Sequence, residues 1–305
     1  MNKTDRSALL SRWIKPSSDT EKDQQDRAER MVREAFSAHP AFRSTDYRIY
    51  AKGSYRNNTN VRLDSDVDIV IELHECLYYD WAPNVTPSNP APTPYTGSWT
   101  KEKWRGEVLA AITQKFGAAD VDGTGNIAIN VAAKSGSRPS IDIVPSFLYK
   151  QYSDTARSAS LDRTGSCVWA SDGKKIVNWP QQQADNGIAK NTATGGRYKY
   201  FVRALKNAEN VLAAAGTIVE MPSYFMECLV YNVDDATLMS GRDLDQGFKA
   251  MLQALHQRLG NEADDRMLEP NEIKYLFHST QKWTVAMGLE LVISTWNYLG
   301  YGDDA

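Results

Sequence analysis

The sequence lacks the features that mark several functional classes. It has only three cysteines, Cys76, Cys167 and Cys228, far apart and odd in number. No CxxC pair occurs, so neither a zinc site nor a disulfide framework is supported, and a reducing compartment is the simplest setting. No apolar run approaches the ~20 residues needed to span a bilayer. The first thirty residues are full of Lys, Arg, Asp and Glu, so no secretory leader is expected. A soluble, cytoplasmic protein with no membrane partner is the expectation. Basic excess is also missing: 35 Lys and Arg against 38 Asp and Glu give a formal charge of -3. That argues against a chain that coats DNA or RNA, while leaving room for a local phosphate-binding patch. There is no internal repeat.

What is present is an ordinary globular composition over 305 residues, enough for one large domain or two lobes sharing a cleft. Residues 3 to 39 have helical spacing (Ala8, Leu9, Trp13, Ile14, then Ala28, Met31, Val32, Phe36) with a break at Pro16-Ser17-Ser18. A short alternating stretch, Tyr47 to Ala51, precedes Gly53-Ser54 and a polar segment. Val67 to Leu73 is short and rich in β-branched residues, which predicts a strand. Residues 82–98 carry five of the twelve prolines and predict a loop. Helical spacing returns over Trp99 to Phe116, and short strands are predicted at Ile127 to Ala132 and Ile141 to Val144. From Tyr198 onward the pattern is helical: 198–215, 224–233, 244–259 and 271–298. The reading is α+β, with a sheet lobe over 1–160 and a helical lobe over 161–305.

Asp66-Val67-Asp68 opens the best strand, and alternation puts the two carboxylates on one face. Paired carboxylates repel unless a cation separates them, and a hard cation such as Mg²⁺ or Mn²⁺ suits oxygen ligands. Two metals held ~3.5–4 Å apart are the usual clamp for phosphoryl transfer. Taken alone, a D-x-D is more often the solvent side of an edge strand, and Asp64 and Glu72 make the region generally acidic. Its company favours chemistry. Ser54 stands twelve residues before Asp66, and a Gly-Ser lets the backbone approach a phosphate closely, though a Gly-Ser by itself is usually a turn. Arg56 and Arg62 add positive charge to the same segment. Asp142, inside the apolar stretch Ile141-Asp142-Ile143-Val144-Pro145, is the candidate third carboxylate, because burying one without a partner costs several kcal/mol. Asp120 and Asp122 are rivals, but the following Gly-Thr-Gly reads as a turn.

The order Gly53-Ser54, then Asp66-Val67-Asp68, then a distant Asp142 resembles the DNA polymerase β-like nucleotidyltransferase superfamily. Gly53-Ser54-Tyr55, Thr59-Asn60-Val61, Ser65-Asp66-Val67-Asp68 and Ile141-Asp142-Ile143-Val144-Pro145 look most like the bacterial cGAS/DncV-like nucleotidyltransferases (CD-NTases), and among them the CdnE type. The resemblance implies a two-lobed fold with the active site in the cleft between a mixed-sheet lobe and a helical lobe. It also implies synthesis of a cyclic di- or oligonucleotide second messenger for anti-phage (CBASS) signalling. Lys206 matches the lysine that contacts the donor triphosphate. Pro222-Ser223-Tyr224 resembles the Ser-Tyr whose serine touches phosphate and whose tyrosine stacks on the donor base. Read from the residues alone, Lys199, Arg203 and Lys206 form a solvated helix face and Tyr224 is a core aromatic. Asn178, in an Asn-aromatic-Pro segment, either reads a base edge or stabilises a turn. One departure is Asn57-Asn58, where many relatives carry a glycine before the threonine.

The resemblance therefore implies that Asp66, Asp68 and Asp142 are catalytic and metal-binding, with Gly53, Ser54, Lys206, Ser223, Tyr224 and Asn178 at the nucleotide. Expected partners are NTPs (ATP, with UTP for this branch) and a downstream effector that binds the cyclic product. A monomer is expected, and no stable DNA binding, since the zinc-ribbon cysteines of the animal DNA sensors are missing. Rival readings are a template-independent RNA-extending enzyme, a transferase that nucleotidylates a protein or antibiotic, and an inactive nucleotide-binding scaffold.

Overall fold

A computed structural model describes residues 1–61, 66–83, 85, 94–153, 162–261, 267–279 and 281–303. Arg62, Asp64, Ser65 and most of the proline-rich loop lie outside them. In chain order the first half contains α1 (Lys3–Trp13), α2 (Asp19–Ala38), β1 (Tyr47–Ala51), α3 (Gly53–Asn57), β2 (Val67–Trp81) and α4 (Lys101–Phe116). Then come β3 (Val121–Asp122), β4 (Ile129–Val131), β5 (Ile141–Tyr152), β6 (Arg163–Trp169) and β7 (Lys175–Asn178). The remainder is helical: α5 (Pro180–Ala193), α6 (Arg197–Ala214), α7 (Ser223–Tyr231), α8 (Asp235–Met239), α9 (Leu244–Asn261) and α10 (Val285–Leu299).

The chain divides into two compact units. One comprises Ser18–Tyr55 and Leu63–Gln181, the other Met1–Ser17, Arg56–Arg62 and Gln182–Ala305. The expected boundary at residue 160 thus falls later, because β6 hydrogen-bonds to β5 and β7 to β6, which keeps residues 163–178 with the sheet. The first seventeen residues go with the helical unit instead, since α1 packs on α6 and α9. Arg6, 1% exposed, anchors it there through Asp245, with Nε–Oδ1 at 3.0 Å and the Tyr301 hydroxyl donating to the same oxygen at 2.9 Å.

In the sheet unit the strand order is β1-β2-β5-β4-β3, with β6 and β7 continuing from β5. β2 and β5 are parallel, and the other pairings are antiparallel. β2 runs well past the predicted Leu73. A register shift between Leu73 and Tyr78 lets its second half continue along β5, with the Tyr78 ring against Phe147 and Trp169, centroids at 5.2 and 4.4 Å. α2 and α4 pack on each other and on the sheet, burying Val32, Phe36, Trp104, Val108 and Ile112. The alternate positions Val67, Ile69 and Ile71 of β2 are fully buried, so the pleat leaves Asp66 and Asp68 less covered.

The helical unit closes around Phe201, Leu205, Ala208 and Leu212 of α6, packed with Phe225, Leu229, Phe248, Leu252 and Leu291. One predicted helix is shorter than its spacing suggested. Residues 271–279 and 281–284 are not helical: Glu272 has φ +57°, and the Asn271 carboxamide oxygen accepts from the Ile273 and Lys274 amides at 2.9 Å each. That side chain satisfies the amides as a turn would, and α10 starts at Val285 behind the Thr284 cap.

Candidate active site

Strand register brings the aspartates into proximity. Asp68 is the direct parallel neighbour of Asp142, and on the far side of β5 Asn130 pairs with Asp142. Asp66 sits just ahead of β2 and is exposed, while Asp68 and Asp142 are half-buried. Each carboxylate has a donor of its own. The Ser140 hydroxyl donates to Asp66, the Lys52 ammonium stands 3.8 Å from Asp68, and the Asn130 amide donates to Asp142 at 3.1 Å. Among the described residues no three His, Cys, Asp or Glu side chains form a ready-made metal cluster. The expected metal set thus lies on neighbouring positions at the head of β2 and on β5 without being gathered round one point.

The electrostatics fit a hard divalent cation. Burial raises the Asp68 pKa first; the Lys52 ammonium opposes this, and the Asp142 and Asp66 carboxylates push it further up. An all-oxygen set in which neighbouring carboxylates raise the proton affinity of Asp68 is the environment a divalent ion relieves. The rivals are occupied elsewhere. Asp122 accepts from the Thr124 amide and hydroxyl at 2.8 and 2.7 Å, a turn, and Asp120 pairs with Arg138 at 3.1 Å.

Gly53 explains why a glycine follows β1. Its φ is +69°, and a Cβ there would lie 2.6 Å from Asp68 Oδ2. Ser54 follows in the first turn of α3, half-buried. The Asn57-Asn58 departure has a simple backbone reading: Asn58 has φ +53°, a left-handed conformation that glycine adopts freely and asparagine reaches at low cost among the other residues.

The basic residues of α6 are not a solvated face. Arg203 is 3% and Lys206 2% exposed. Arg203 donates to the Ile14 and Asn58 carbonyls, both at 2.6 Å. Lys206 Nζ donates to the Thr59 carbonyl at 3.1 Å and to its hydroxyl at 3.3 Å, and burial lowers its pKa against the pull of Glu227. The structure thus places the Lys206 ammonium on residue 59 of the segment that links Gly53-Ser54 to the D-x-D. Ser223 is the exposed first residue of α7. Tyr224 is half-buried, its ring edge-on to Trp283 at 6.2 Å and its hydroxyl donating to Glu269 at 3.3 Å. Asn178 ends β7 and is exposed. Lys52, Asn130 and Glu227 were missed in the sequence. Asn130 carried a usable signal, because Ile129-Asn130-Val131 repeats the polar-within-apolar pattern of Ile141-Asp142-Ile143.

Known proteins resemble the chain over nearly its whole length. Residues 185–300 match the model of the cGAS/DncV-like nucleotidyltransferase C-terminal helical domain. The chain is similar to the cyclic dipyrimidine nucleotide synthase CdnE of Legionella pneumophila, 36% identical over 94% of this chain and 96% of that one. It is also similar to the cyclic dipurine nucleotide synthase of Elizabethkingia meningoseptica, 31% identical over 96% and 97% of the two chains. Among solved structures, the Rhodothermus marinus CdnE c-UMP-AMP synthase with Apcpp and Upnpp superimposes with a TM-score of 0.83 at 25% identity, covering 98% of each chain. With the carboxylates on adjacent strands of a polymerase β-like fold and similarity running nearly end to end, the chain belongs to the bacterial cGAS/DncV-like nucleotidyltransferases.

Proposed function

We propose that this enzyme joins nucleoside triphosphates into a cyclic di- or oligonucleotide that acts as a second messenger in anti-phage (CBASS) signalling, and that it depends on Mg²⁺ or Mn²⁺. The observation that carries the chemistry is the register pairing of Asp68 with Asp142. Cyclisation is supported by the relatives, which are a dipyrimidine, a dipurine and a UMP-AMP synthase. Because those differ in base, similarity leaves base choice open; ATP together with UTP is the combination we put forward.

In this reading Asp66, Asp68 and Asp142 would hold divalent cations, which would supply charge neutralisation at the phosphates and a lowered pKa at the attacking ribose hydroxyl. Gly53 and Ser54 hold phosphate through backbone and hydroxyl donors. Lys206, with two of its ammonium hydrogens held by Thr59, gives the third to triphosphate oxygens, Ser223 contacts phosphate, Tyr224 stacks on the donor base and Asn178 reads a base edge. Positioning and charge neutralisation supply most of the rate. The first hydroxyl attack on an α-phosphorus breaks its α–β anhydride and releases pyrophosphate; the linear intermediate then turns over so that its own hydroxyl attacks the α-phosphorus of the remaining triphosphate, closing the ring and releasing a second pyrophosphate.

The test is incubation with radiolabelled NTP mixtures and Mg²⁺ or Mn²⁺, followed by phosphatase. A phosphatase-resistant small product is expected, and Asp66→Asn is expected to abolish it. A ladder would point to an RNA-extending enzyme, and undiminished product from Asp66→Asn would refute the metal assignment.

A further inference from the structure

One buried carboxylate of the helical unit has no part in the roles assigned so far. Glu227 of α7 is 3% exposed. Its Oε1 accepts from the Asn57 amide at 2.7 Å and the Gln183 amide at 3.5 Å, and its Oε2 accepts from the Thr59 hydroxyl at 3.1 Å. A charged carboxylate in such a place is costly unless its oxygens are satisfied and a cation is near. Lys206 is that cation, held one hydroxyl away.

The proton count fixes the direction of the chain. Thr59 has a single hydroxyl hydrogen, and the acceptor-only carboxylate takes it. The lone pairs of the Thr59 oxygen are then left for the Lys206 ammonium, which donates to it and to the Thr59 carbonyl. Glu227 therefore orients Thr59, and Thr59 orients Lys206. The same carboxylate also fixes Asn57, so one side chain pins two positions of the segment that leads from Gly53-Ser54 to the D-x-D.

We infer that Glu227 is a positioning residue for nucleotide binding, holding Thr59 and through it Lys206 where the triphosphate is received. This rests on the proposed role of Lys206. Glu227→Gln keeps the shape but withdraws the charge and one acceptor oxygen. It should raise the KM for NTP and the Kd for the non-hydrolysable analogue Apcpp by about tenfold, the scale of losing a hydrogen bond to a charged group, with a smaller effect on kcat. In a Lys206→Met background the same change should add almost nothing, because the two act as one unit. Thr59→Val, which keeps shape and removes the relay hydroxyl, should reproduce the binding defect even if Glu227→Gln folds poorly.

A purely structural role predicts instead a lowered Tm with unchanged KM and Kd in the folded fraction. That outcome, or full additivity with Lys206→Met, overturns the inference. Product from Asp66→Asn would sink the catalytic reading while leaving the Apcpp titrations to decide on Glu227. No Apcpp binding by the wild-type protein would overturn both.

Discussion

Gly53→Ala isolates a close approach that the chain makes with no side chain. The added methyl would lie 2.6 Å from Asp68 Oδ2, about 0.8 Å short of ordinary contact at 3.4 Å. The Asp68 carboxylate must swing away by that amount, from a position set by Lys52 at 3.8 Å and by its neighbour Asp142. Alanine also has to hold φ +69°, which costs about 1–2 kcal/mol. A misplacement of about 1 Å at a reacting centre costs roughly 10²-fold in rate, so kcat for nucleotide joining should fall by that order while the protein stays folded. Gly136→Ala is the control: its φ is also +69°, but its methyl would meet nothing within 4 Å. It should show the same backbone penalty in a thermal melt and full activity. If Gly53→Ala turns over NTP like the control, contact with Asp68 has no bearing on catalysis and the argument fails.

Two further outcomes follow from the aspartates' surroundings. Asn130→Ala removes the 3.1 Å bond that orients Asp142; the metal concentration for half-maximal activity should rise about 10–100-fold with little change in Tm, and an unchanged metal titration would show that Asn130 does not orient Asp142. The folded state holds the Asp68 proton more tightly than the ordinary value of 3.8 implies, so its contribution to stability declines as pH rises through the folded pKa. Metal-free Asp68→Asn should therefore melt above wild type at neutral pH, with the difference vanishing below pH 3.8; a lower melt at neutral pH would contradict the electrostatics.

The parts of the site that were legible in the sequence are those whose neighbours in the chain carry the signal. Val67 to Leu73 reads as a strand because its β-branched run is continuous, and Asp142 stands out against Ile141 and Ile143. The second half of β2 was unreadable, since His74, Glu75 and Asp80 break the apolar pattern and only pairing with β5 extends it. β6 was hidden in the same way by Arg163, Thr164 and Gly165. The burial of Arg203 and Lys206 could not be seen either. Basic residues at helical spacing read as solvated, and what covers these, the Asn58 carbonyl and Thr59, lies about 145 positions away. Helical spacing over 271–279 misled for the converse reason, because Asn271 satisfies locally the amides that a helix would have used.

Asp68 and Asp142 are 74 positions apart in the chain and meet only through parallel pairing, which no tight hairpin can deliver. Closing so long a loop before any contact rewards it is slow. During synthesis β2 can pair with β5 only after residues 141–152 have been made, whereas its other partner β1 precedes it. Substitutions that hinder this docking should lower the yield of competent molecules while leaving the specific activity of each mature one intact.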